Sequence, residues 1–402
     1  MVYPAPSEAF VSVEVNELRR KNIDVTVGTI RSRRRDHDRV IEQQQARHTP
    51  VDHADWKSPY HGLLLAFFEP RLAIRLWWKL LTSLATRPVV LASCLFWSLR
   101  CFELLALIRR EKPDVVHLYW GHVTSMLGWL LIESQPDQAL TTGLSAYDLE
   151  MAIPFSFEVA RRSRGVRTWA SINIETIASQ GVAIDQIQLV HQGVSIKQFS
   201  SDETPRRARG ACKLAFVGRL IPAKGVELVV ELIRRLSTTF PDLELVVIGD
   251  GPLHGILLKI VEEWGLENRI RFLGHISHTA LAEELKDATL LLLPSSHTAE
   301  RLPNVVKEAA AAGCCCLTTG TPGIGALIRD RESGRILPAG DVDAWVTAVA
   351  ELLNDSNATQ VMADVARQRV KEHFDIERTT DQLIAWWERV ASLSAHAWRG
   401  ST

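Results

Sequence analysis

The sequence predicts an α/β protein built from two doubly wound, Rossmann-like parallel-sheet domains. Three observations predict it. The chain has 402 residues, and at roughly 100–200 residues per domain that length suits two domains. Its C-terminal half alternates short continuous apolar runs with helix-spaced segments, the pattern of strands buried on both faces. Its N-terminal half carries a weaker form of the same alternation.

Composition narrows the class. The hydrophobic fraction of 46% and charged fraction of 23% are ordinary for a globular protein. A formal net charge of −1 argues against a nucleic-acid partner. The six cysteines include the run Cys314–Cys315–Cys316 and no C-x-x-C pair. Reduced thiols in a cytoplasmic protein are expected, with the run acting as small buried hydrophobes. Met1 leads straight into loop-like residues, with no secretory signal. The most apolar stretch, 88–108, is interrupted by Arg100 and Glu103, which disfavours a spanning helix.

The elements follow in order. A loop over Tyr3–Glu8 opens the chain where a Rossmann domain would place its first strand. Either that strand is missing or the native start lies upstream. Strands are expected over Ile23–Ile30, Asp114–Leu118, Gln138–Leu144 and Gln186–Val190, with helices rich in Leu, Trp and Arg over 61–112. The polar segment 202–210 reads as the joint, giving domains of 1–205 and 206–375. Lys213–Gly218, Leu243–Gly249, Arg269–Gly274, Thr289–Pro294 and Cys314–Thr318 read as strands. Between them lie the helical segments Val226–Thr239, Leu253–Trp264, His278–Ala288 and Pro303–Gly313. Three amphipathic helices close the chain. The last, in 376–402, carries Trp386 and Trp387 and is expected to pack back on the first domain.

In a doubly wound sheet, ligands bind at the carboxyl ends of the strands. Gly218 and Arg219 follow the first C-terminal strand, Gly251 the second, His275 and Ile276 the third, and Glu300 to Asn304 the fourth. Arg219 and Lys224 supply a planar donor fork and a point charge, a pair suited to a diphosphate. Two solvated surface cations are the plain alternative. Pro303 can open a helix without losing a hydrogen bond, leaving the N–H groups of Asn304, Val305 and Val306 as an anion site. Glu300, before that helix, and Glu308, within it, are spaced to face one ligand. Carboxylates accept hydrogen bonds from sugar hydroxyls.

The stretches FVGRLIPAKG (216–225), VVIGDGP (246–252), RFLGHIS (271–277), LLPSS (292–296) and ERLPNVVKEAAAAG (300–313) resemble the family 4 retaining glycosyltransferases of GT-B fold. PSEAF (6–10), DVVHLYWGH (114–122), SAYDLE (145–150) and HQGVSIKQF (191–199) are similar to stretches of bacterial colanic-acid and exopolysaccharide-type members. The resemblance implies two Rossmann-like domains facing a cleft, an acceptor-side N-terminal one and a donor-binding C-terminal one. It implies a nucleoside-diphosphate sugar as substrate, a glycan or lipid-linked acceptor, and no cofactor or metal. Gly218, Arg219, Lys224, Gly251, His275, Ile276, Glu300, Pro303, Asn304, Val305 and Glu308 would bind the donor. Glu300, Arg219 and Lys224 would carry catalysis. On the acceptor side His117 or His122 is a candidate, with a core or surface histidine the plain alternative, and Asp148 is a further candidate.

The chain departs from that family at two places. The family's Gly-Gly-x-Pro-Glu turn is replaced by Thr321-Pro322-Gly323-Ile324-Gly325-Ala326. The stretch Leu144–Asp148 lacks the histidine that many relatives set against the donor sugar. A catalytically impaired nucleotide-sugar-binding partner of another transferase is therefore the competing reading. Asp341 and Asp343 have a D-x-D spacing but read as a helix cap. Residues 61–112 hold eight Lys/Arg against three acids, with Trp77, Trp78 and Trp97. Such a surface suits either packing on the sheet or peripheral contact with an anionic membrane, on the inner face of the cytoplasmic membrane.

Overall fold

The computed structural model describes residues 2–5, 8–33, 37–44, 46, 48–151, 153–200, 212–297 and 300–399, without side chains for Pro154 or 393–399. Its contacts divide the chain into two units, Met1–His191 with Thr379–Thr402, and Gln192–Arg378. The expected joint at 202–210 lies wholly outside the described residues, and the division itself falls at His191/Gln192.

The first unit opens with α1 (Ala9–Arg20), β1 (Val27–Ser32), α2 (His37–Gln43) and β2 (Val51–Ala54). Three helices follow: α3 (Ser58–Phe68), α4 (Pro70–Leu84) and α5 (Pro88–Glu111). Then come β3 (Val115–Leu118), α6 (Ser125–Ser134), β4 (Ala139–Gly143), α7 (Ala146–Met151), α8 (Pro154–Arg162), β5 (Gly165–Thr168), α9 (Asn173–Ser179) and β6 (Ile187–Leu189). Strands β3–β4–β5–β6 form one parallel sheet, while β1 and β2 pair separately. No strand precedes α1 among the described residues, and none joins β1 to β3.

Two expectations need correction here. The strand expected over Ile23–Ile30 begins only at Val27, because Asn22 takes a left-handed turn (φ 62°) that carries the chain out of α1. β5 was missed because Arg167 sits in its centre. That guanidinium is fully buried and is held by both carboxylate oxygens of Glu14 on α1, at 2.7 and 2.5 Å. Arg100 has the same kind of role. Buried in α5, it donates to the carbonyls of Thr29 (3.0 Å) and Asp52 (2.9 Å) and to Glu103 (2.7 Å), tying both short strands to the helix.

The second unit contains α10 (Ile196–Phe199), β7 (Lys213–Val217), α11 (Val226–Leu236), β8 (Glu244–Ile248), α12 (His254–Glu263), β9 (Ile270–Gly274) and α13 (His278–Asp287). It continues with β10 (Leu290–Leu293), α14 (Asn304–Ala312), β11 (Cys315–Thr319), β12 (Arg335–Leu337), α15 (Val342–Asn354) and α16 (Ser356–His373). All six strands are parallel, in the order β12–β11–β10–β7–β8–β9. The unbroken Leu290–Leu293 run is explained by burial on both faces. Leu290 and Leu292 pack with α11 and α15, while Leu291 and Leu293 pack with α13, α14 and α16. Cys315 joins the first of these clusters and Cys314 and Cys316 the second, all as free thiols. Asp341 caps α15 by accepting from Ala344 N–H at 3.0 Å.

α17 (Ile376–Arg399) ends the chain. Its Trp386 packs with Ala139 and Val190 and lies over Gly165, where a Cβ would come within 2.7 Å of the indole.

Removing one partner of a buried ion pair strands the other charge, at a cost of about 3–5 kcal/mol. Glu14→Gln should therefore lower the unfolding free energy measured by urea denaturation by an amount in that range; a loss below about 1 kcal/mol would refute the role given to this pair.

Candidate active site

The order of the second sheet fixes where a ligand can sit. From β7 the chain winds one way through β8 and β9 and the other way through β10 and β11. The carboxyl ends of β7 and β10 thus form a topological switch point, where the connections part and leave a crevice.

Glycines bring the loops at that edge together. A Cβ on Gly249 (φ 130°) would lie 1.9 Å from the Gly218 carbonyl oxygen, and one on Gly251 would lie 2.5 Å from that of Leu220. Gly225 (φ 68°) meets Pro294 in the same way, its would-be Cβ 2.6 Å from the carbonyl oxygen. Backbone bonds close the surface. Leu220 N–H donates to Asp250 (3.0 Å), Leu253 N–H to Leu220 (3.1 Å) and Ser296 N–H to Ala223 (2.9 Å). The loops after β7, β8 and β10 are one bonded surface.

On it stand the predicted side chains. Arg219 is exposed. Lys224 is ion-paired with Glu300, both side chains mostly buried, and the second Glu300 oxygen is buried without a hydrogen-bond partner. Pro303 caps α14 and has no N–H to lose. Val306 N–H donates to the Pro303 carbonyl at 3.2 Å, so the expected trio of helix-start donors is reduced to Asn304 and Val305. His275 and Ile276 follow β9, with His275 exposed and Ile276 packed against the core. Glu308 is buried within α14; burial pushes its carboxyl up, opposed by His278 and Lys307.

One residue escaped the sequence reading. Lys307 is fully buried, its amine donating to Asn304 Oδ1 (2.7 Å) and to the Gln192 carbonyl (2.9 Å), 5.4 Å above the Phe374 ring. Burial pulls it down to about 7. Its i,i+3 spacing from Asn304 was the available signal.

The acceptor-side candidates lie in the other unit and behave differently from the expectation. His117 lies inside β3 rather than beyond its end. Its Nδ1 meets Thr141 Oγ1 at 2.9 Å, its buried Nε2 has no hydrogen-bond partner, and the Trp387 ring is 5.3 Å away. Desolvation holds it down to about 3. Asp148 is buried and accepts from Gly121 N–H (2.9 Å), Ser145 N–H (2.8 Å) and Ser145 Oγ (2.7 Å). It positions the loops after β3 and β4. Beyond those strands sits an aromatic cluster of Phe10, Tyr119, Trp120 and Trp169, with Tyr119, Trp120 and Trp169 centroids 5.2–5.5 Å apart. The buried Trp169 Nε1 there has no hydrogen-bond partner.

Residues 201–369 match the family model described as glycosyl transferases group 1. Glycogen synthase of Mycobacterium tuberculosis is 28% identical over 315 residues, 72% of this chain and 69% of that one. D-inositol 3-phosphate glycosyltransferase of Mycobacterium ulcerans is 29% identical over 237 residues, 54% of this chain and 50% of its own length. The crystal structure of Anabaena HepE in complex with UDP superposes with a TM-score of 0.69 at 16% identity, covering 96% of this chain and 97% of that one. The fold is GT-B. In this GT-B chain the group 1 match spans the strands, glycine loops and α14 just described, and with the two relatives it supports a glycosyltransferase.

His117 carries a pH prediction. It is neutral in the fold down to about pH 3, whereas in the unfolded chain it protonates near 6.5. The unfolded state then binds the extra proton, so stability is lost as pH falls through that window. Between pH 6.5 and 5 the wild type should lose about 1.5 kcal/mol more than His117→Gln. Parallel urea stability curves for the two proteins would overturn this.

Proposed function

We propose that this chain is a retaining, metal-independent glycosyltransferase that moves a hexose from a nucleoside-diphosphate sugar to a glycan or lipid-linked acceptor. We place it in family 4, near the colanic-acid type, acting in exopolysaccharide or cell-surface glycan synthesis on the cytoplasmic side of the membrane. One observation carries the reading. Arg219, the Lys224–Glu300 pair and the start of α14 gather on one glycine-shaped surface at the switch point, inside the segment that matches the group 1 family.

The chemistry follows from those groups. Arg219 and Lys224 balance the charge that grows on the leaving diphosphate, and the N–H groups of Asn304 and Val305 add the positive end of the helix dipole. These cations do the work that a divalent ion does elsewhere. Glu300 accepts from hydroxyls of the transferred sugar, and Glu308 from the ribose. The bond from the anomeric carbon to the phosphate oxygen breaks while the bond to the acceptor oxygen forms on the same face. The acceptor proton passes to the departing phosphate oxygen, so configuration is retained.

Lys224 and Glu300 neutralise each other. A donor must divide them, phosphate taking the amine and sugar hydroxyls the carboxylate. Glu300→Gln should therefore bind nucleoside diphosphate at least as tightly as wild type in calorimetry, while turnover falls. Weaker binding in that variant would contradict the exchange.

Arg219→Ala and Lys224→Ala should each slow transfer by roughly 10²–10³ on the analogy of losing one preorganised donor. The assay is release of nucleoside diphosphate that depends on added acceptor, preceded by a thermal-shift screen of UDP, GDP, ADP and their sugars. Wild-type rates in both variants would refute the site. Tight donor binding with no turnover against any acceptor would favour a non-catalytic donor-binding partner, the reading that the altered turn at 321–326 supports.

A further inference from the structure

Helix α3 is built the wrong way round for a helix facing water. It packs its small residues Ser58, Gly62 and Ala66 inward and turns Tyr60, Leu63, Leu64, Phe67 and Phe68 outward. The inward face is forced by close approach to α5: a Cβ on Gly62 would lie 2.1 Å from the Leu99 carbonyl oxygen. Phe67 and Phe68 are each 77% exposed. The adjoining helices continue the surface, α4 with Ile74 and Trp78 and α5 with Val89 and Phe96. Among the described residues, eleven of the nineteen exposed large hydrophobic side chains fall between Trp56 and Phe96, so the patch is a local feature rather than scattered surface.

Its charge is predominantly positive, although the exposed carboxylate of Asp55 accepts from the Lys57 backbone N–H at its edge. Residues 56–96 contain Lys57, Arg71, Arg75, Lys79 and Arg87 against the single acid Glu69, and Glu69 is already bonded to Arg109. Arg75 and Lys79 pair with Glu133 and Glu158. Lys57 and Arg71 are exposed with no acidic partner among the described residues. α5 itself is long and apolar enough to cross a bilayer. In this fold, however, it is packed against α3, α4, α6 and β1 with Arg100 bonded inside.

We infer that the outward face of α3, α4 and the start of α5 is a docking surface for an anionic lipid bilayer. Aromatic and aliphatic side chains enter the headgroup–acyl boundary, and Lys57 and Arg71 meet the lipid phosphates. The cations argue for an anionic bilayer over a second copy of the chain, which would set Lys57 and Arg71 against a surface equally basic. The inference stands apart from the reaction proposed above.

The test is co-sedimentation of the full chain with vesicles of phosphatidylcholine alone and of phosphatidylcholine with phosphatidylglycerol. Binding is expected to the anionic vesicles, to weaken with salt, and to fall roughly tenfold or more in Phe67→Ser/Phe68→Ser and in Lys57→Glu/Arg71→Glu. Both double variants change exposed positions, and unaltered circular dichroism checks their folding. Quenching of wild-type tryptophan fluorescence by brominated lipid is a readout that needs no variant. Absence of binding to either vesicle, or equal binding by variants and wild type, overturns the inference. So does lipid-free self-association that the Phe67/Phe68 change abolishes while vesicles stay unbound. Loss of lipid binding with acceptor-dependent turnover retained leaves the reaction intact, which separates the two readings.

Discussion

The C-terminal unit depends on how closely the exits of β7 and β8 lie together. A side chain at Gly249 would penetrate the Gly218 carbonyl, so backbone meets backbone there and nothing else fits. Once those two loops are joined, the segment carrying Arg219 and Lys224 has no freedom to swing away from the edge. The Ser296–Ala223 bond then draws in the loop after β10. Main-chain bonds fix the backbone of this surface, while Glu300 holds the Lys224 amine. That is the condition under which preorganised cations can act on a developing negative charge.

The two units are held together internally by different means. The C-terminal sheet is sandwiched by Leu, Val, Ala and Cys side chains that bury almost completely. The N-terminal unit instead sets Arg167 and Arg100 in its interior, each surrounded by carboxylate and carbonyl acceptors. Buried pairs of this kind add little net stability compared with apolar packing, but they specify one arrangement because any other leaves a charge unpaired. The split between the β1–β2 pair and the β3–β6 sheet fits this picture: Arg100 links β1 and β2 to α5 where no strand does so.

These differences explain what could be read in advance. In the C-terminal half β7 to β11 carry short, largely apolar runs, so those strands and the helices between them were legible to within three residues, whereas β12, three residues long and opened by the buried Arg335, was not read at all. Strand β5 was invisible because Gly-Val-Arg-Thr does not look like a buried strand until Glu14, far away in sequence, is brought beside it. Helix α1 was missed for the related reason that its buried face includes Ser12, Glu14 and Glu17. Of the site, residue types and loop positions could be assigned from spacing. The Lys224–Glu300 pairing and the burial of Lys307 could not, since both depend on which rotamers the packed loops permit. His117 was singled out by its residue type, and its burial beside the tryptophans of α17 could not be read from the sequence.

The tie between Glu14 and Arg167 spans 153 residues of sequence, and the unit it belongs to also includes the stretch from Thr379 onward. A ribosome delivers chain from one end only. The C-terminal unit, contiguous from Gln192 to Arg378, can close as soon as its last helix emerges, whereas its neighbour still lacks the tryptophan that covers Gly165. The half begun first during synthesis is thus the half finished last, and until then β5 and the Trp386 contact surface on β4 stay uncovered.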